Sequence, residues 1–339
     1  MWKLSLTKKI GIDLGTTNTL VYVLGKGIVL NEPTVVAVNQ ATKKVEAIGT
    51  EAKEMLGKTP DSIVVYRPMQ DGAIADYHVT LAMLKYFITK ALGKNSFLKP
   101  DVLVSVPVGI SGTERRAVIE ATIKAGAKSA VIVKEAILAA LGAGVPINEP
   151  RGHMIIDSGG GTTDIAVISL GGVVASTSVK CAGNKIDKAI IEYLKKTHSL
   201  SIGDQTAEET KKDLCSAMPV SPDVKADIKG RDSITGLPKT VTVTTNELVK
   251  AIDQELKQIV RAIKDVLQQT PPELASDIID HGIVMTGGTS QLAHLGDLIA
   301  KQTGVSVRIA DESLYCVVNG TGVLLAHLDD YQRSILAKR

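Results

Sequence analysis

The sequence predicts an α/β protein of two lobes, and three observations carry that expectation. The chain has 339 residues, 44% hydrophobic and 22% charged, which is long enough for two cores. Two hairpins of one design recur, with Asp13 and Asp157 standing 144 positions apart at matching strand ends. Short apolar strands alternate with helix-like segments, as in sheets covered by helices. A repeat at so long a period reads as a duplicated α/β unit, because solenoid repeats come every 20–50 residues or so.

The elements follow in order. Residues 10–14 and 19–24 are strands around the turn 15–18, and 25–27 turns into a third strand at 28–30. Residues 102–107 form a short buried strand, 113–125 a helix closed at Gly126, 130–133 a strand and 135–142 a helix of small residues. The second hairpin pairs strands 153–157 and 164–170 around the turn 158–163, and Gly171-Gly172 turns again. Beyond it come helices near 185–196 and 206–215, paired strands near 224–228 and 240–244, and one long helix from Asn246 to about Gln269. A strand at 283–285, a glycine turn at 286–289, a helix at 291–302 and a last helix from about Val317 complete the chain. No Pro/Ser-rich linker separates the halves, so two lobes sharing one cleft are expected, with a ligand between them.

Composition excludes several classes. A net charge of +3 without blocks of like charge gives no basis for nucleic-acid binding. Cys181, Cys215 and Cys316 lie far apart, so neither a zinc site nor a disulfide framework is expected, and a reducing cytosol fits. No apolar run approaches the roughly 18 residues of a membrane span, and residues 1–9 lack the apolar region of a signal peptide.

Each hairpin joins an aspartate at a strand end to glycines and threonines, the combination that a phosphate tail with a metal requires. Glycines bring backbone N–H groups close, and threonine hydroxyls add donors. Asp13 is assigned to a hydrated magnesium, and Gly15, Thr16, Thr17 and Asn18 to the β- and γ-phosphates. Asp157 is assigned to the same ion through water, and Gly159, Gly160, Gly161 and Thr162 to the other side of the phosphates. The third glycine turn, with Gly287, Gly288 and Thr289, follows a strand and opens a helix, as a nucleoside contact would; alone it reads equally as a plain turn. Neither a P-loop nor a Gly-x-Gly-x-x-Gly fingerprint occurs.

These three turns in this order resemble the superfamily of actin, the sugar kinases and the heat-shock chaperone ATPases. Within it the chain is similar to the MreB family of bacterial actin homologues from about Lys9 to the last helix. The resemblance lies in residues 10–19, 67–76, 113–118, Gly171-Gly172 and 236–240. It implies an actin-like ATPase fold of four subdomains around a nucleotide cleft, with 1–147 plus 317–339 as lobe I and 148–316 as lobe II. It also implies ATP and Mg2+ as cofactors, slow hydrolysis coupled to polymerisation, and antiparallel double filaments. Glu135 matches the glutamate that positions the attacking water, with Thr163 as its partner. Glu208 and Lys211, at i,i+3 on one helix, read as an adenosine-side pair or as a surface ion pair. The chain departs from the family at Lys134-Glu135-Ala136, where Glu-Glu-Pro is usual. It also has Ser158 for a hydrophobic residue, Asp164 for a glutamate, Thr289 for a glycine and Asn184 for an aspartate.

Trp2, Leu4 and Leu6 beside Lys3, and Phe97-Leu98 beside Lys99, resemble places where the family dips into lipid; packing on their own domain is the competing reading. The expected setting is therefore the cytoplasm, peripheral at the inner face of the cell membrane. The expected partners are further copies of the chain, that membrane and the cell-elongation machinery. A sugar or acetate kinase of the same fold is the alternative function. A chaperone would need a substrate domain, whereas this sequence ends at Arg339.

Overall fold

The computed structural model describes residues 8–93 and 98–327. Two five-stranded mixed sheets form its frame. The first runs β10-β9-β1-β2-β3, with β1 (Lys9–Leu14), β2 (Asn18–Val23), β3 (Gly27–Pro33), β9 (Asp101–Val106) and β10 (Ser129–Lys134). The second runs β13-β12-β11-β17-β18, with β11 (His153–Ser158), β12 (Thr163–Ser169), β13 (Gly172–Val179), β17 (Ile283–Thr286) and β18 (Val307–Ile309). In each, an antiparallel three-strand meander is extended by two parallel strands, so the duplication read from the hairpins holds for whole sheets.

Strand alternation decides which face each residue joins. In the first sheet Ile10, Ile12, Val102 and Val104 point outward into a core with Met83, Leu84 and Phe87 of α2 (Tyr77–Leu92) and Val118 of α3 (Gly112–Lys124). In the second sheet Met154, Ile156, Ile165 and Val167 point outward towards α5 (Gly183–His198) and α8 (Asp253–Gln269). The opposite faces share a third core. There Leu103 and Val133 of one sheet and Ile155, Ala166, Ile168 and Val284 of the other enclose α4 (Glu135–Gly142) and α11 (Cys316–Ala326). Those two helices touch backbone to backbone: a Cβ on Gly142 would overlap the Cys316 carbonyl, and one on Gly320 the Leu138 carbonyl.

Residues 31–93, to which the sequence reading assigns no elements, form further structure. A three-stranded sheet joins β4 (Val36–Asn39), β5 (Val45–Ile48) and β6 (Ile63–Tyr66) beside α1 (Thr50–Glu54). The two-stranded pair β7 (Met69–Gln70) and β8 (Ala73–Ile74) leads into α2, whose N-terminus Asp76 caps. In the other half β14 (Leu200–Ser201), β15 (Lys225–Asp232) and β16 (Pro238–Thr244) form a matching small sheet beside α6 (Asp204–Leu214).

Two helices differ from expectation. The long helix divides into α7 (Thr245–Ala251) and α8 at Ile252, which the core holds fully buried with φ −104° and ψ 4°. Thr244 and Glu247 form a capping box at the first start, and Asp253 and Glu255 supply the acidic first turn of the second. The helix expected at 291–302 is a 3-10 turn, Gly288–Gln291, followed by α10 (Leu295–Thr303), because His294 between them adopts the left-handed conformation, φ 59°. The helix α9 (Pro272–His281), opened by a proline, has no counterpart in the sequence reading.

The helix contact is testable by filling it. Gly320→Ala is expected to destabilise the fold by about 1–3 kcal/mol or more through overpacking. Gly112→Ala, where a Cβ meets nothing, should change stability by less than about 0.5 kcal/mol. Denaturant unfolding of the two variants checks the difference.

Candidate functional site

The inner faces of the two sheets converge on the start of α4. Asp13 lies at the end of β1, on the face opposite Ile12 and Leu14, and Ser105 on β9 shares that face. Asp157 lies at the same place on β11, and the register pairs it with Asp164 on β12. Antiparallel partners project to one side of a sheet, so both aspartates face α4. Glu135 opens that helix and is buried, with the helix N-terminus favouring its negative charge.

Hydrogen bonds hold these groups in place. The Ser105 hydroxyl donates to Asp13 Oδ1 at 2.8 Å, and the Thr286 hydroxyl donates to Asp157 Oδ1 at 2.7 Å. Asp164 Oδ1 accepts from the Val108 N–H at 2.7 Å. No salt bridge reaches Asp13, Glu135, Asp157 or Asp164 among the described residues.

Unpaired burial shifts all four carboxyls upward. Burial pushes Asp13 to about 7, against the Ser105 hydrogen bond and with the Asp157 charge adding to it. Asp164 likewise rises to about 7, by burial first, with the Val108 N–H opposing and Asp157 adding. Burial, then the charges of Asp164, Asp13 and Asp157, hold Glu135 well above the usual carboxylate range. Asp157 is raised by burial, with the Thr286 hydrogen bond opposing.

The two hairpin tips meet above this cluster. A Cβ on Gly160 would strike the Thr17 side chain, and one on Gly161 the Thr16 side chain. Only glycine permits that approach. The Thr16 hydroxyl accepts from the Gly72 N–H, and the Asn18 side chain donates to Asn31 on β3. Among the described residues the N–H groups of Thr16, Thr17, Gly160 and Gly161 engage no acceptor, whereas the Gly159 N–H is closed onto Thr162 within the turn. The third glycine turn docks on the second hairpin: the Thr289 hydroxyl donates to the Gly159 carbonyl at 2.6 Å, and Gly287 packs on Ser158. Gly288 lies against Leu314.

Other expected site residues sit apart from the cluster. Thr163 precedes Asp164 and therefore points to the opposite face of β12, where its hydroxyl donates to the Cys181 carbonyl and bonds Ser158. The structure does not bring it to Glu135. Lys211 reaches the Gly183 carbonyl and Asp187, near Thr289. Glu208 pairs not with Lys211 but with Lys212 on its own helix and, at 3.4 Å, with Lys53 of α1. With the 3.2 Å pair Arg67–Asp204, the Lys53 contact bridges the two small-sheet regions across the mouth of the cleft. Leu98 is 52% exposed, while Trp2, Leu4, Leu6 and Phe97 lie outside the described residues.

Sequence reasoning missed Ser105 and Asp164 as site residues. A signal was present for Ser105, a serine amid the valines and leucine of a buried strand, whereas the face taken by Asp164 follows only from the pairing of β12 with β11.

A family model described as MreB/Mbl protein matches residues 7–333. The chain belongs to the MreB/Mbl family. It is 47% identical over 322 residues to the cell shape-determining protein Mbl of Bacillus cereus, covering 95% of this chain and 97% of that one. To the cell shape-determining protein MreB of Escherichia coli K12 it is 46% identical over 326 residues, covering 94% of each. The crystal structure of MreB5 of Spiroplasma citri bound to AMPPNP superposes with a TM-score of 0.92 at 36% identity, covering 97% of this chain and 99% of that chain. The fold is therefore the actin-like fold of this family, with the duplicated sheets flanking the cleft.

The raised carboxyls give a pH dependence with a definite sign. The folded state holds protons that the unfolded chain releases near 4, so the contribution of these carboxyls to stability is greatest below that pH and is lost as pH rises through about 7. Nucleotide-free, chelator-treated protein is expected to melt at a progressively lower temperature from pH 5.5 to 8. Asp13→Asn should flatten that slope, as thermal denaturation across the range will show.

Proposed function

We propose that this chain is a cell-shape-determining, actin-like ATPase that binds ATP with magnesium in the cleft and hydrolyses it slowly. It assembles into membrane-associated, antiparallel double filaments that organise cell-wall elongation or membrane form. The observation that carries the reading is the meeting of two glycine hairpins above Asp13, Asp157 and Glu135 in a member of the MreB/Mbl family. The S. citri relative bound to AMPPNP supports a nucleotide in the same fold. The kinase alternative has no such support. Residues 1–147 with 317–339 form one lobe and 148–316 the other, α11 returning to pack on α4.

The donor set fits magnesium. Asp13 and Asp157 offer buried carboxylate oxygens that no cationic side chain pairs among the described residues. Among the described residues no three ligating groups converge for direct binding, which suits an ion that keeps its water shell and is held through it by Asp13 and Asp157. Held there by Asp13 and Asp157, such an ion would offset the phosphate charge. The N–H groups of the tips cradle the phosphates, Gly287, Gly288 and Thr289 wall the nucleoside side with Glu208 and Lys211, and Glu135 orients the attacking water. Lys134 beside Glu135 tunes the turnover rate.

Asp13→Ala and Asp157→Ala are each expected to abolish magnesium-dependent ATP binding or turnover. Glu135→Ala should slow phosphate release at least ~10-fold while nucleotide still binds. A phosphate-release assay beside a nucleotide-binding titration checks all three. Unchanged hydrolysis in either aspartate variant removes the metal assignment, and lost affinity in Glu135→Ala makes that residue structural.

Among the described residues no helix is long and apolar enough to cross a membrane, so attachment is peripheral in this reading. Trp2, Leu4, Leu6, Phe97 and Leu98 are its anchor. Single apolar side chains contribute only about 1.5–3 kcal/mol when buried, so a monomer binds lipid weakly and a filament strongly. In liposome co-sedimentation, deletion of residues 2–7 combined with Phe97→Ser/Leu98→Ser is expected to leave filaments in the supernatant, and salt should weaken the wild type. If those filaments pellet like the wild type, the anchor lies elsewhere.

A further inference from the structure

Asp164 carries an acceptor that the reading above does not use. Its side chain is 0% exposed; Oδ1 is tied to the Val108 N–H, and Oδ2 has no hydrogen-bond partner. The Thr162 and Ser178 hydroxyls approach the carboxylate closely enough to favour its charged form, yet neither closes a hydrogen bond on Oδ2. A buried carboxylate oxygen left unpaired is costly, so a native structure that keeps one calls for a ligand at that point.

Strand phase says where the oxygen looks. Asp164 is the register partner of Asp157, and Ala166 and Ile168 on the same face of β12 pack in the core that holds α4. The carboxylate therefore faces the helix start that Glu135 occupies. Among the charges acting on Glu135, that of Asp164 is the largest, ahead of Asp13 and Asp157. Thr163, the partner implied for Glu135, points to the other face.

We propose that Asp164 is a water-orienting catalytic residue, its Oδ2 accepting one O–H of the attacking water while Glu135 holds the other. The proposal rests on the hydrolysis reading above and replaces Thr163 in it. The water oxygen forms a bond to the γ-phosphorus as the bond from that phosphorus to the β–γ bridging oxygen breaks. The electron pair of the broken bond leaves with ADP. The proton of the attacking water passes to the carboxylate pair and then to the released phosphate. Two acceptors fix both O–H directions, and so aim the lone pair of the water at phosphorus, which one acceptor cannot do.

The bland reading is that Asp164 only fastens the 107–109 segment against β12. Asparagine separates the two. Its carbonyl keeps the bond from Val108, which obliges its NH2 group to take the place of Oδ2, where it donates and cannot accept from water.

Steady-state phosphate release and fluorescent-nucleotide binding are measured on the full chain as wild type, Asp164→Asn and Asp164→Glu. Asp164→Asn is expected to lower kcat at least ~10-fold with KM and nucleotide affinity within about two-fold of wild type. Asp164→Glu, the residue the family resemblance places there, should recover most of the rate. Wild-type kcat in Asp164→Asn overturns the proposal. So does a loss of rate that tracks lost affinity and melting temperature, which would mark a fastening role. Wild type that binds nucleotide but releases no phosphate overturns the hydrolysis reading itself, and this inference with it.

Discussion

Everything in the molecule depends on how closely α4 and α11 approach. Both sheets press their inner faces on this helix pair, so the thickness of the pair sets the distance between the sheets. Gly142 and Gly320 remove the side chains that would stand between the two backbones. The ends of β1 and β11 then reach the same level on either side of the start of α4, and only at that spacing do Asp13, Asp157, Asp164 and Glu135 act on one another. A methyl group at either glycine, some distance from the carboxylates, would spread them by spreading the sheets.

That convergence is electrostatically unfavourable by itself. Four buried carboxyls that no salt bridge reaches among the described residues resist ionisation, by burial first and by mutual repulsion second, so protons are held to about neutrality at Asp13 and Asp164. The same repulsion is a preference for positive charge. A divalent ion entering with its water shell would reverse the sign of the local potential and let the carboxyls ionise. Strain of this kind is tolerated because the rest of each lobe is an ordinary aliphatic core.

Much of this was legible in the sequence, because the informative features are local. A strand ending in aspartate and followed by glycines and threonines can be read from a dozen residues, and the two hairpins came out within a residue or so of their observed ends. The strands β4, β5 and β6 were not legible, because each runs for four residues only, too briefly to show a period. The break at Ile252 follows from tertiary burial, which overrides a helical sequence pattern. Thr163 and Asp164 show the limit most clearly. Neighbours in sequence, they lie on opposite faces of one strand, and only the pairing of β12 with β11 tells which of them faces Glu135.

The two ion pairs across the cleft mouth differ in kind from the glycine contact at its floor. Lys53–Glu208 and Arg67–Asp204 join side chains that remain partly in water, and such pairs hold little against solvent and salt. The floor is backbone against backbone in a dry core and yields only with the fold. A body fixed at one end and lightly held at the other behaves as a pair of jaws. Thermal motion can part the two small sheets many times before it disturbs the helices beneath them, so a ligand the size of a nucleotide could leave and be replaced while the carboxylates stay where they are.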